Sequence, residues 1–151
     1  VTLTVLSPVS GEVVPLSEVP DPVFAQAMVG PGIAVQPERT AGDAVSPVDG
    51  TVVTLHPHAF VVATESGAAV LVHLGIDTVK LKGEGFTLHV VKGETVRAGQ
   101  PVIGWNPAEI EQGGRSPICP VIALDASAES LVDVHEPGPV KAGEALLTWQ
   151  R

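Results

Sequence analysis

The chain has 151 residues, with 17 acidic side chains against 8 basic ones and a net charge of −9. The bases are scattered, so phosphate backbones are repelled and nucleic acid is excluded as a partner, whereas a basic protein would be drawn in. A hydrophobic content of 44% suits one domain, residues 1–151, around one core, and 16 Gly and 14 Pro in ones and twos punctuate many short elements.

Taken in chain order, the first element is SPVSGEVVPL, starting at Ser7: a strand whose Gly11 marks a bend where a side chain is unwelcome. DPVFAQAMVG follows, a short helix with Asp21 as N-cap, Pro22 at its first position and Gly30 just past its end. At Ser46 the opening phrase returns as SPVDGTVVTL, agreeing in Ser, Pro, Val, Gly, Val, Val and Leu. HAFVVATE, the turn Ser66-Gly67 and AAVLVHLG then read as a hairpin. VRAGQPVIGW from Val96 is a strand, tight turn and strand, and it returns as VKAGEALLTW from Val140. Between these copies NPAEIEQGG is a second short helix capped by Asn106 and closed by Gly113. Two duplicated strand units predict an all-β fold, a duplicated β-sandwich or barrel-sandwich hybrid, with one or two very short helices on its rim.

No run approaches the roughly 20 apolar residues of a spanning helix. The start VTLTVLSP lacks the regions of a signal peptide, and the single Cys119 excludes an intrachain disulfide. The expectation is a cytoplasmic protein with no direct membrane insertion.

The candidate chemistry lies on the hairpin. If Ser66 and Gly67 form a two-residue loop, Glu65 faces Ala68, Phe60 faces His73, and His58 is the diagonal neighbour of His73 on the same face. A one-residue slip puts them on opposite faces. Two neutral imidazoles side by side can share a metal; alternatively, one attacks while the other donates a hydrogen bond to the transferred anion. Read singly, each histidine satisfies a local hydrogen bond at a strand end.

VHLGIDTVKLKGEGF, from Val72 to Phe86, resembles the active-site signature of the glucose-type IIA (EIIA) proteins of the bacterial phosphoenolpyruvate-dependent sugar phosphotransferase system. SPVSGEVV, VPDPVFAQAMVGPGIAVQP, SPVDGTVV and HAF occur in that family's order, so the resemblance covers essentially the whole chain. It implies a phosphoryl carrier that accepts phosphate from the phosphohistidine of HPr and passes it to the cysteine of a IIB domain, which phosphorylates a sugar entering through IIC. By the match, His73 is the phosphorylated nucleophile and His58 stabilises the phosphoryl group. One His73 nitrogen is held by the Gly75 carbonyl and the other attacks. The resemblance also implies an apolar docking face of Val23, Phe24, Met28, Val29, Leu71, Leu74 and Phe86, with Asp21 and Asp77 as acidic contacts for an HPr arginine. Phe24 also reads as packing for its helix, Asp21 as its cap and Asp77 as part of a turn.

The chain departs from the family at His56, where a Thr is usual, and in having no amphipathic N-terminal segment. Cys119 in SPICP is unlike a phosphocysteine loop and reads as a buried small side chain. His89, His135, Lys80 and Lys82 match no functional position. No cofactor is required, although His58 and His73 offer two ligands for zinc at a partner interface, as reported for some IIA proteins. Regulation of other proteins through phosphorylation of His73 is a further implication of the family, since the added charge would release a partner that prefers the bare face. The sugar stays open between glucose, N-acetylglucosamine and β-glucosides.

Two rivals use the same residues. His56, His58, His73 and Asp77 form an HxH and an HxxxD, the ligand types of lysostaphin-like zinc peptidases, though in reversed order. The paired VxAG turns suggest a lipoyl- or biotinyl-type module, which needs a lysine on a tight hairpin; Lys92 and Lys141 lack the neighbouring Met of that motif.

Overall fold

The computed structural model describes residues 2–151. Its strands are β1 (Thr2–Leu6), β2 (Gly11–Val14), β3 (Gly32–Pro37), β4 (Gly42–Val45), β5 (Gly50–His56), β6 (Ala59–Ala63) and β7 (Ala69–His73), followed by β8 (Thr87–Leu88), β9 (Thr95–Val96), β10 (Pro101–Trp105), β11 (Cys119–Ala123), β12 (Leu131–Val132), β13 (Gly138–Val140) and β14 (Ala145–Gln150). Two short helices, α1 (Pro22–Ala25) and α2 (Pro107–Gln112), and three single 3₁₀ turns complete it. The fold is the all-β sandwich expected.

One eight-stranded sheet runs β13-β2-β3-β11-β7-β6-β5-β9, and β1-β14-β12 and β4-β10-β8 form two three-stranded sheets. The duplicated phrases are docked on one another. Leu6 N–H donates to the Pro47 carbonyl at 2.9 Å, and Val45 N–H to the Pro8 carbonyl at 2.9 Å, a reciprocal exchange between the two copies. The buried hydroxyls of Ser7 and Ser46 each donate to the carbonyl two residues on, Val9 at 2.6 Å and Val48 at 2.7 Å. Each Ser carbonyl then accepts from the turn glycine of a VxAG phrase, Ser7 from Gly143 at 2.9 Å and Ser46 from Gly99 at 2.8 Å. Sequence repetition is thus a two-fold pseudo-symmetric frame, and the four phrases are its joints.

Gly11 and Gly50 exclude side chains for a reason other than a bend. They open β2 and β5 so close to the neighbouring strand that a Cβ would lie 1.9 Å from the Gln36 carbonyl oxygen and 2.2 Å from that of Ala63.

The main core, with Phe60, Val72, Leu74, Ile103, Leu146 and both tryptophans, lies on one face of the large sheet. A second cluster of Leu16, Val19, Phe24, Ala34, Ile76, Ile118 and Ile122 covers the alternate residues of β3 and β11 on its other face. The alternation continues into β7, where Val70 and Val72 enter the main core and Leu71 packs against the second cluster. This places His73 on the face where α1 sits.

Both caps are as expected: Asp21 accepts from Val23 N–H at 2.9 Å and Asn106 from Ala108 N–H at 3.0 Å, and Gly113 closes α2. The end of α1 is not. Ala27, at φ +55°, takes the left-handed position, with Met28 N–H on the Val23 carbonyl at 3.0 Å and Ala27 N–H on that of Phe24 at 2.9 Å. Gly30 serves a close approach instead: a Cβ there would lie 2.7 Å from the Ala123 carbonyl oxygen and 3.0 Å from Ile122 Cγ2.

Candidate active site

The hairpin register differs by one residue from the expected one. Ala63 pairs with Ala69, Phe60 with Val72, and Ala59, not Phe60, with His73. The loop takes the shift because it is longer than two residues. Thr64 N–H donates to the Ala68 carbonyl at 2.7 Å, Gly67 N–H donates to the Thr64 carbonyl at 3.0 Å, and Gly67 sits at φ +88°. Even so, the imidazoles of His58 and His73 meet, with centroids 5.1 Å apart and planes at 73°. They meet because His58 lies in the turn between β5 and β6, where strand alternation no longer governs side-chain direction.

His73 ends β7, and its Nδ1–H donates to the Gly75 carbonyl at 2.6 Å. That bond puts the proton on Nδ1 and leaves the Nε2 lone pair free. Gly75 is at φ +81°, where a Cβ would strike Thr78 Cγ2 at 2.7 Å and the Ser116 carbonyl oxygen at 3.0 Å. The next layer holds the loop: Leu74 N–H reaches the His58 carbonyl at 2.8 Å, Gly75 N–H that of Ile118 at 3.1 Å, and Ile76 N–H that of Ser116 at 2.9 Å.

Burial lowers the His73 pKa, opposed by the Gly75 hydrogen bond and by the carboxylates of Asp21 and Asp77. His58 is lowered to about 4, first by burial, then by the neighbouring His73 and His56. Both rings are therefore neutral at neutral pH. His56 ends β5 opposite Ala59, and its ring stacks on that of His58 with centroids 5.8 Å apart and planes at 21°.

Of the expected docking residues, Val23 and Met28 are open to solvent, 42% and 69% exposed, while Val29 and Leu71 are half-buried beside the second cluster. Phe24 is nearly buried in that cluster, with its ring 5.1 Å from that of His73. Phe86 is half-buried and stacked on Trp105 at 6.2 Å. Leu74 is a correction: it is 0% exposed and belongs to the main core, because it steps to the inner face after His73. Asp77, at φ +60°, precedes the 3₁₀ turn Thr78–Leu81 without a side-chain cap, so the turn is closed by its backbone carbonyl on Lys80 N–H at 3.2 Å. Sequence reasoning passed over Val79, 60% exposed, and Thr78, fully buried; both stand inside the Val72–Phe86 signature.

Among the described residues no group of three or more His, Cys, Asp or Glu is placed to hold a metal ion, so the HxH and HxxxD do not assemble into a peptidase centre. Cys119 is buried, with its thiol pKa pushed up by burial, and donates to the Pro117 carbonyl at 3.4 Å. His89 bonds Asp43 at 2.8 Å and His135 the Glu136 carbonyl at 2.6 Å, both away from the imidazole pair. No helix among the described residues is long and apolar enough to cross a membrane.

Residues 3–128 match the family model described as phosphoenolpyruvate-dependent sugar phosphotransferase system, EIIA 1. A glucose-specific EIIA component of Oceanobacillus iheyensis is 44% identical over 144 residues, 94% of this chain and 86% of that protein. A beta-glucoside-specific EIIBCA component of Bacillus subtilis is 42% identical over 143 residues, 93% of this chain but only 23% of that protein. A glucose-specific EIIBCA component of Corynebacterium glutamicum is 44% identical over 125 residues, 82% of this chain and 18% of that protein. The solved glucose permease IIA of Mycoplasma capricolum superimposes with a TM-score of 0.90 at 35% identity, covering 98% of this chain and 96% of that one. The chain therefore belongs to the glucose-type EIIA family and serves phosphoryl transfer in sugar uptake.

Proposed function

We propose that His73 Nε2 is the atom that carries the phosphoryl group, received from the phosphohistidine of HPr and passed to the cysteine of a IIB domain. The observation that carries this reading is the 2.6 Å bond from His73 Nδ1–H to the Gly75 carbonyl, which directs the lone pair outward beside His58. In the first step the Nε2 lone pair attacks phosphorus, the donor P–N bond breaks, and its electron pair returns to the donor imidazole. The positive charge left on the His73 ring spreads to Nδ1–H, whose bond to the Gly75 carbonyl strengthens. Neutral His58 supplies one N–H to the phosphoryl oxygens, and their negative charge raises its affinity for a second proton. In the second step the IIB thiolate attacks phosphorus and His73 recovers its lone pair.

Val23, Met28 and Val79 form the exposed apolar surroundings on which two partners dock in turn, with Asp21 and Asp77 nearby for a cationic side chain. The chemistry uses no cofactor; zinc at His58 and His73 would need its remaining ligands from a partner. Sugar choice falls to the IIB and IIC partners. The test is intact mass after incubation with phosphoenolpyruvate, enzyme I and HPr. The wild type gains one phosphoryl group, His58→Gln keeps that gain and His73→Gln loses it. No gain in the wild type, or a gain retained by His73→Gln, overturns the assignment.

A further inference from the structure

Between His73 and Gly75 stands Leu74, and both of its backbone groups are tied. Its N–H donates to the His58 carbonyl at 2.8 Å, and its carbonyl accepts the hydroxyl of Thr78, also at 2.8 Å. Thr78 is 0% exposed, and its Cγ2 packs so close to Gly75 that it occupies the space a Cβ would need. With the Gly75 and Ile76 amides held by Ile118 and Ser116, every peptide from Leu74 to Ile76 has its orientation set from outside the loop. The Thr78 hydroxyl is the side-chain link in this set. It reaches the Leu74–Gly75 peptide, which follows the one linked to His58 and precedes the one that presents the Gly75 carbonyl.

We infer that Thr78 is a positioning residue that fixes the tautomer of His73, by holding the Leu74 peptide so that the Gly75 carbonyl stays aimed at Nδ1–H. Without the hydroxyl, the buried Leu74 carbonyl loses its donor, and the Leu74–Gly75 peptide, then held only by Gly75 N–H on the Ile118 carbonyl at 3.1 Å, turns to find another. The Gly75 carbonyl follows, and the His73 proton is no longer held on Nδ1. The Nε2–H tautomer has no lone pair at the attacking atom, so the fraction of protein able to accept a phosphoryl group falls. The rate of acceptance falls in proportion to that fraction. The inference rests on His73 as the acceptor, but its structural half can be read without any transfer.

The experiment compares wild type, Thr78→Val and Thr78→Ser by ¹⁵N-resolved NMR of the His73 ring at a pH where it is neutral, together with the kinetics of acceptance from phospho-HPr. Thr78→Val keeps the shape and loses the donor; Thr78→Ser keeps the donor. Expected are Nδ1–H in wild type and Thr78→Ser, a mixed tautomer in Thr78→Val, and a kcat for Thr78→Val lowered in proportion to the Nδ1–H fraction that the spectra read, at an unchanged KM for HPr. A wild-type ring spectrum and rate in Thr78→Val overturns the inference, as does a mixed tautomer in Thr78→Ser. Should Thr78→Val not fold, Thr78→Cys substitutes a weak donor of similar size. A partial shift of tautomer there supports the inference, and an unchanged ring overturns it. If wild type accepts no phosphoryl group, the proposed function fails while the ring spectra still decide the role of Thr78.

Discussion

The two halves of the large sheet place the same frame around different residues. In one half Ala59 pairs with His73 and the His58 carbonyl accepts from Leu74 N–H at 2.8 Å; in the other, Gly32 pairs with Ile122 and the Pro31 carbonyl accepts from Ala123 N–H at 2.9 Å. Pro31 and Ile122 thus stand where His58 and His73 stand. Ile122 is fully buried, with Gly30 set down on it, whereas both imidazoles are only half-buried, with His73 beside Phe24 of α1. The frame demands a residue at each place but is indifferent to its chemistry. What separates a reactive place from a packed one is the segment that follows the strand: the loop from Leu74 to Thr78, pinned peptide by peptide, has been given a carbonyl to aim.

The largest effect is expected at the joints both halves share. Gly11→Ala and Gly50→Ala each drive a Cβ into a neighbouring backbone, so each should cost more than about 4 kcal/mol and leave the protein largely unfolded by circular dichroism. If one variant folds normally, the halves are not equivalent at these joints. The next contrast crosses the equivalent places. Ile122→Ala should lower stability by about 2–5 kcal/mol in denaturant titration yet still accept a phosphoryl group on His73, whereas His73→Ala should lose acceptance at a much smaller cost in stability. Equal losses of stability would show that the open half carries packing like the closed one.

The smallest effect is a pH dependence confined to the histidine half. Because His58 is lowered to about 4 in the fold, the unfolded chain binds its proton first as pH falls below the usual histidine value of about 6.5. Stability from this group is therefore full above that value and declines as pH drops toward 4. Replacing His56 by Thr removes one of the charges that lower His58, so the His58 midpoint in an NMR titration should move up. A midpoint that stays put or falls contradicts the placement of His56.

Much of this was legible from residue types alone. The duplicated phrases announced the frame, Asp21 and Asn106 their caps, and the Val72–Phe86 signature the pair of histidines and the Gly75 carbonyl. The hairpin register was not legible, because Ser66-Gly67 suits both a two-residue loop and the longer one from Thr64 to Ala68, and only cross-strand packing chooses between them. Leu74 was misread for a related reason: within an active-site phrase an apolar residue looks available to partners, but alternation sends the neighbour of an outward His73 into the core. Thr78 gave no signal, since a buried hydroxyl that bonds four residues back has no pattern of its own in sequence.

Strand β1 lies against β14, with Thr2 opposite Gln150. The first and last strands described here therefore lie side by side, on a sheet separate from the one that carries His73. A unit so arranged can be spliced to neighbours at either end, or cut and rejoined elsewhere, without threading a strand or disturbing the reactive face. That geometry suits a domain matched both by an EIIA component of nearly its own length and by roughly a fifth of much longer EIIBCA chains.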